Sequence, residues 1–238
     1  MTALAERESA AAEVVDLATT SLRELNHRLH ELARSRGPRA WRVVNPSGAH
    51  AVACGLDADV EVEIDGHVGY YCAGMNKRAT VRVHGNASTG VAENMMSGLV
   101  VVDGNVSQSA GASGHGGLLV VRGDASARCG ISMKGIEIVV GGSAGHMSAF
   151  MAQTGTLVVC GDAGEALGDS IYEARLYVRG EVASLGSDCV EKELREEHLL
   201  QLRSLLEVAG IDADPEDFRR YGSARRLYNF HVDHAGSY

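Results

Sequence analysis

The sequence predicts an all-β solenoid: a single-stranded parallel β-helix of about seven 19-residue turns, right-handed, with α-helical N- and C-terminal flanks. Three observations carry this expectation: glycines crowd the middle of the chain, one glycine recurs every 19 residues, and aliphatic residues alternate with period two around it. Of the 29 glycines, 23 fall between Val60 and Asp188, whereas Pro38, Pro46 and Pro215 all lie outside. Every residue in that stretch can therefore donate a ladder hydrogen bond.

The repeat aligns on Gly66, Gly85, Gly104, Gly123, Gly142, Gly161 and Gly180. Four residues before each glycine stands an aliphatic residue, and two before stands Ile64, Val83, Val102, Val121, Val140, Val159 or Val178. Two after stands Val68, Ala87, Val106, Ala125, Ala144, Ala163 or Val182. This is the pattern of a strand with one buried face. Seven after the glycine come Ala73, Ala92, Gly111, Gly130, Ala149 and Gly168, small residues that predict a second inward or tightly bent position. A unit of this length cannot bury its own apolar face, so the units must stack, and stacking in parallel keeps their phase identical. The resulting column is roughly 30 Å long at about 4.8 Å per strand. A leucine-rich repeat would need a Leu/Asn ladder, and a calcium-binding β-roll would need G-G-x-G-x-D; neither is present. The remaining competitor is a left-handed hexapeptide helix, but a constant step of 19 would spoil its 18-residue phase at every turn.

A solenoid needs caps at its ends. Ser21-Leu22-Arg23-Glu24 reads as a capping box, followed by Leu22, Leu25, Leu29 and Leu32 at helical spacing and stopped at Gly37-Pro38. Asp188-Cys189-Val190-Glu191 reads as a second N-terminus, with Leu199, Leu202, Leu205 and Leu206 on one face of a helix reaching about Ala209. Asp214-Pro215 starts a further short helix. Residues 1 to 15 are rich in Ala and Glu and are expected to fray. The expected organisation is a helical segment over 1–40, the β-helix over 41–188, and a helical cap and tail over 189–238.

Composition excludes several function classes. With 22 Lys plus Arg against 31 Asp plus Glu the formal charge is -9, so no global positive field is available for a phosphate backbone. No run approaches a membrane span, and the acidic N-terminus lacks the apolar core of a signal peptide. A cytoplasmic location is expected, with Cys54, Cys72, Cys129, Cys160 and Cys189 as thiols. Cys72 and Cys129 share a phase but lie three turns apart, which excludes a disulfide and suits small packing residues.

No catalytic, cofactor or metal constellation emerges. None of the ten histidines forms H-E-x-x-H or pairs with Cys at zinc-finger spacing, and His231 and His234 would need further ligands. Gly111–Gly117 resembles an anion-binding loop but lacks a following helix and a Gly-Lys-Ser/Thr, so it is read as a structural turn. His115 within it would be the base only in an acyltransferase. Met75, Met95, Met96, Met133 and Met151 fall in one strip of the coil, read as core.

The V-x-V-x-G units, the text Gly66-His67-Val68-Gly69-Tyr70-Tyr71-Cys72-Ala73-Gly74-Met75 and Gly104-Asn105-Val106 resemble the GXGXG β-helix domain. That domain is found at the C-terminal end of the glutamate synthase large chain and in one of the subunits of formylmethanofuran dehydrogenase. The flanks Asp16–Asn26 and Phe218–Tyr228 look like the stand-alone GXGXG subunit of N-methylglutamate synthase and its glutamate-synthase-like relatives. The resemblance implies a split enzyme. A class II amidotransferase (glutaminase) subunit and a synthase subunit carrying FMN and an iron-sulfur cluster would do the chemistry, and this chain would bind neither cofactor. No catalytic residue of that family maps here, so the expected role is a scaffold in the conversion of methylamine and glutamate to N-methylglutamate and ammonia. Without fused catalytic domains, function would require hetero-oligomeric assembly, with no nucleic acid or membrane involved. The expected interface residues are Leu22, Leu25 and Leu29 on the first helix and Tyr221, Arg225, Arg226 and Tyr228 on the tail. Two other readings remain: a scaffold of a formylmethanofuran-type dehydrogenase, and a stand-alone left-handed acyltransferase.

Overall fold

Eleven strands form one sheet in the order β1-β2-β3-β4-β5-β6-β7-β8-β9-β11-β10. In this computed structural model, residues 12–34, 37 and 39–226 are described. The strands are β1 (Glu13–Asp16), β2 (Ala40–Val44), β3 (Glu61–Asp65), β4 (Thr80–Val83), β5 (Leu99–Val102), β6 (Leu118–Val121), β7 (Lys134–Val140), β8 (Thr154–Val159), β9 (Arg175–Val178), β10 (Cys189–Lys192) and β11 (Arg219–Ser223). From β3 to β9 the pairing is parallel and the register of the aliphatic columns advances by 19: Ile64 opposite Val83, Val83 opposite Val102, and so on to Val159 opposite Val178, with one bulge between Lys134 and Glu137 that sets Lys134 opposite Thr154. The repeat read from the glycines is thus the coil of a parallel β-solenoid.

Each coil is tied to its neighbours at two further places. The residues two after the repeat glycine form a second parallel ladder, Val68, Ala87, Val106, Ala125, Ala144, Ala163 and Val182. Beyond it lies a turn in which alternate residues are left-handed, in three columns. One column holds Tyr71, Gly90, Ser109, Arg128, Met147 and Ala166; the next Ala73, Ala92, Gly111, Gly130, Ala149 and Gly168; the third Met75, Asn94, Ser113, Ser132, Met151 and Ser170. The middle column is the row of small residues expected to bend tightly. Alternation reverses the direction of successive amides. Ser109 N donates to Ala127 O in the next coil, Gly111 N to Val91 O in the preceding one, and Ser113 N to Ile131 O in the next again. A left-handed L-residue costs roughly 1–2 kcal/mol, and here that conformation lets buried amides find partners along the stack.

A side-chain ladder runs beside the repeat glycines. Each residue after the glycine accepts from the backbone N of its counterpart one coil on: Asn86 Oδ1 from Asn105 N at 2.9 Å, Asn105 Oδ1 from Asp124 N at 2.8 Å, and Asp124 Oδ1 from Ser143 N at 2.8 Å. Ser143 Oγ and Asp162 Oδ1 continue it toward Glu181, and His67 Nδ1 begins it at Asn86 N. Inside the coil the aliphatic columns are dry: Ile64, Val83, Val102, Val121, Val140, Val159 and Val178 are all fully buried.

The flanks depart from the expected layout. β2 adds a turn before the first repeat glycine, with Trp41 opposite Val62 and Val43 opposite Ile64 at a step of 21. β1 pairs parallel with β2, so Val14 and Val15 are strand rather than frayed chain. Helix α1 (Leu22–Glu31) begins at Ser21, whose Oγ accepts from Glu24 N, and it sinks Leu25 and Leu29 into the solenoid core. Asp188–Glu191 does not start a helix: Cys189–Lys192 is β10, antiparallel to β11, and helix α2 (Glu196–Ala209) begins after Arg195. The cause is pairing, since β11 inserts between β9 and β10 and draws both flanking segments into the sheet. Asp214 Oδ1 accepts from Glu216 N and opens a 3-10 turn at Pro215–Asp217.

The left-handed columns generate a prediction of unusual sign. Arg128 is exposed at φ 59°, and its side chain makes no hydrogen bond or ion pair among the described residues. Arg128→Gly should raise stability by about 0.5–1 kcal/mol, the relieved strain exceeding the entropy returned to the unfolded chain. Arg128→Val should lower it by more than about 1 kcal/mol, since branching crowds the left-handed backbone. Urea midpoints of the two variants check the opposite signs.

Candidate functional site

Helix α2 lies against the outer face of the sheet. Leu202, Leu205, Leu206 and Ala209, joined by Phe218, pack on Val120, Val139, Val158 and Tyr177 in a second apolar cluster distinct from the solenoid interior. The leucine stripe expected to cap an end therefore covers a side. Gln201 clips the helix to two strands: its Nε2 donates to Thr156 Oγ1 at 3.1 Å, and its Oε1 accepts from Arg175 Nη1 at 2.9 Å and Tyr177 Oη at 3.3 Å. The start of the helix is fixed by His198, whose Nδ1 accepts from Arg195 N at 3.0 Å. With Nδ1 accepting, the proton of the neutral ring sits on Nε2.

Between the first turn of α2 and strands β9, β11 and β10 opens a cleft of about 430 Å³, walled by Arg175, Lys192, Arg195, Glu197, His198 and Arg220. A shallower depression of about 330 Å³ adjoins it, sharing Glu173 and Arg175 and reaching Glu137 and Thr156. The electrostatics of the pair are mixed. Burial, reinforced by the nearby Arg220 guanidinium, lowers the His198 pKa and favours the neutral ring. Burial raises the Glu137 carboxyl, and Gln201 partly opposes this. It likewise raises the phenol of Tyr177 and lowers the Arg220 guanidinium. Such a site can hold an anion and offer it neutral and charged N–H donors. No sequence motif pointed here, because its walls come from strands and a helix that pair only in the fold.

A second polar feature lies on the open half of the same outer face. Arg42 Nε sits 2.6 Å from Asp65 Oδ2, Arg122 Nε 3.3 Å from Asp103 Oδ1, and His84 Nδ1 2.7 Å from Asp103 Oδ2, while His84 Nε2 meets Glu63. This is a ladder of cross-strand ion pairs on a flat surface, with no hydroxyl or thiol in hydrogen-bond reach of His84 among the described residues.

The residues singled out in the sequence separate clearly. Leu25, Leu29 and Tyr221 are buried in this chain's own core, and Leu22 is half-buried against it, so the first three are enclosed here rather than presented. Arg225 and Arg226 are exposed; Arg225 Nη2 lies 4.0 Å from Glu173 Oε1, and Arg226 N donates to Asp188 Oδ1 at 2.9 Å. Tyr228, His231 and His234 lie outside the described residues. The methionine strip is not one surface: Met95 and Met133 are core, whereas Met75, Met96 and Met151 are about half exposed. His115 is exposed on its turn. Cys72 and Cys129 are fully buried, and burial pushes both thiols up to about 12, as expected of packing residues. Among the described residues no group of three His, Cys, Asp or Glu side chains could hold a metal ion, and no helix is long and apolar enough to cross a membrane.

The ion-pair ladder predicts a pH dependence. Asp103 first, and then Glu63, raises the His84 pKa against a partial loss of hydration. A raised histidine pKa contributes stability that is complete below about pH 6.5 and lost as pH rises through the folded value. His84→Gln should flatten the decline in unfolding free energy, read from urea titrations between pH 6 and 8, by under about 1 kcal/mol, the range of exposed ion pairs. An unchanged decline would assign it to other groups.

No family model and no solved structure matches the chain. It is 66% identical over 226 residues to "Protein GlxC" of Rhizobium meliloti (strain 1021), an alignment covering 94% of this chain and 99% of that protein. At that identity, across nearly the full length of both sequences, the chain belongs to the GlxC family.

Proposed function

We propose that the chain is a non-catalytic scaffold subunit of a glutamate-synthase-type complex, specifically an N-methylglutamate synthase. It would hold a class II glutaminase beside a synthase subunit that carries FMN and an iron-sulfur cluster. The observation that carries this reading is the repeat itself: V-x-V-x-G units with the turn text of Gly66–Met75, stacked as a column whose coils are bonded all along their length. A column of that kind is stiff and presents different lateral surfaces, which suits a subunit that fixes the spacing of two others.

In this reading both cofactors belong to a partner subunit. An iron-sulfur cluster is held by converging cysteine thiolates, whereas burial pushes Cys72, Cys129 and Cys189 up to about 12. The work left to this chain is positional. Arg226 and the Arg225 side chain stand exposed where the described chain leaves the sheet at Ser223, and they are the residues assigned to partner contact.

Affinity capture of the tagged chain from a lysate of its native cells tests the reading. Co-elution of a glutaminase and a yellow-brown partner with flavin and iron-sulfur absorbance is the expected result; a colourless homo-oligomer would overturn it. Charge reversal at Arg225 and Arg226 together should reduce co-purification at least about tenfold, the loss typical of removing a charged contact at an interface.

A further inference from the structure

We propose that the cleft between α2 and strands β9, β11 and β10 is a binding site for a small multivalent oxyanion, a compound carrying two or more carboxylate or phosphate groups. The strand order creates the site. Antiparallel register sets Arg220 of β11 opposite Lys192 of β10 on one side and Tyr177 of β9 on the other. Arg175 lies two residues before Tyr177 and so projects from the same face. Three cations thus share one short stretch of sheet, and two of them are direct cross-strand neighbours, an arrangement that repels. In a chain of net charge -9 this concentration does not follow from composition.

Within the fold the repulsion is offset only in part, by the Tyr177 hydroxyl and the Glu197 carboxylate near Arg220. Arg195 is engaged by Glu193 and Arg225 faces Glu173, but none of Arg175, Lys192 and Arg220 makes an ion pair among the described residues. Arg175 binds the neutral amide of Gln201, and Arg220 Nη1 donates to Glu193 O at 3.1 Å. Arg220 Nε is enclosed and has no hydrogen-bond acceptor. That N–H is out of a ligand's reach, and the part of the Arg220 guanidinium that lines the cleft is what an oxyanion would meet. His198 Nε2 stands in the same wall, 3.5 Å from Glu197 Oε1, a carboxylate that an oxyanion would have to displace.

The floor of the cleft is left open by the sequence. Gly222 has no left-handed φ, and a Cβ built on it would meet nothing closer than 3.7 Å, so neither backbone conformation nor close approach requires glycine there. What the missing side chain leaves is room. About 430 Å³ fits a small ligand.

The test is calorimetric titration of the purified full chain with citrate and, separately, pyrophosphate, at low salt and at 150 mM salt. The expected result is stoichiometric binding of at least one probe with Kd below about 1 mM, weakened by salt as charge pairing requires. Preference for citrate assigns carboxylates, and preference for pyrophosphate assigns phosphates. Arg220→Met and Gly222→Leu should each weaken binding at least about tenfold, the first by deleting the charge and the second by filling the floor. Lys192→Met, at a half-buried position, gives the same readout if either of those variants fails to fold. The proposal is overturned if neither probe binds at 10 mM, or if binding survives the substitutions undiminished. It is also overturned if a hexaglutamate peptide binds more tightly than both probes and is lost in the same variants, which would make the cleft a protein-docking surface.

Discussion

Every coil of this solenoid is hydrogen-bonded to its neighbours at three places on its circumference, and all three sets of bonds are satisfied together only when consecutive coils are equally long. The strand ladder, the bridge ladder from Val68 to Val182 and the left-handed turn columns each advance by the same 19 residues. An extra residue not absorbed in a bulge, as the one between Lys134 and Glu137 is, would misalign at least one of them and leave enclosed amides without partners. The turn accepts residues such as Met75, Ser113 and Arg128 in a conformation that favours glycine. It can do so because each of those residues donates a bond to the coil beyond. Apart from that bulge, the step is longer only outside the repeats, 28 from β1 to β2 and 21 from β2 to β3, where the stack begins and fewer neighbours constrain it.

The outer face of the sheet divides into two territories. Three residues before the repeat glycine the chain carries Glu63 and Arg82 in the early coils, then Val101, Val120, Val139, Val158 and Tyr177 in the later ones. The early half stays open and is laced by ion pairs; the later half is apolar and is covered by α2. Covering ends abruptly at the first turn of the helix, where the apolar surface gives way to Arg175, Arg220 and Lys192. The cleft is therefore the margin of a hydrophobic cover, and its depth comes from the helix standing off the sheet while Gly222 leaves the floor bare.

Much of this was legible in the residues and some of it was not. The glycine period specified the coil because one rule, inward aliphatic positions at fixed phase, governs seven units in succession. Two further signals were present in the text. The residue after each glycine is an acceptor type from His67 to Asp162, which is the side-chain ladder, and the shift from charged to aliphatic residues three before the glycine marks where α2 lands. Both are periodic over 19 residues, so they show only once the coil is assumed. The insertion of Arg219–Ser223 between β9 and β10 left no such trace. A single five-residue strand paired across about 40 positions has no repeat to announce it, and the cationic cleft, which depends on that insertion, was hidden for the same reason.

The inserted strand also determines how long the column can be. A parallel stack offers, at its last strand, the same template that every earlier coil accepted, so nothing in the repeat itself says where growth should cease. β11 lies antiparallel on β9 and β10 antiparallel on β11, which replaces that template with one that another 19-residue coil cannot match. A chain interrupted before Arg219 would keep a growing end and stack on other incomplete chains. The column ends after β9 because its closing strands run in a direction the repeat cannot copy.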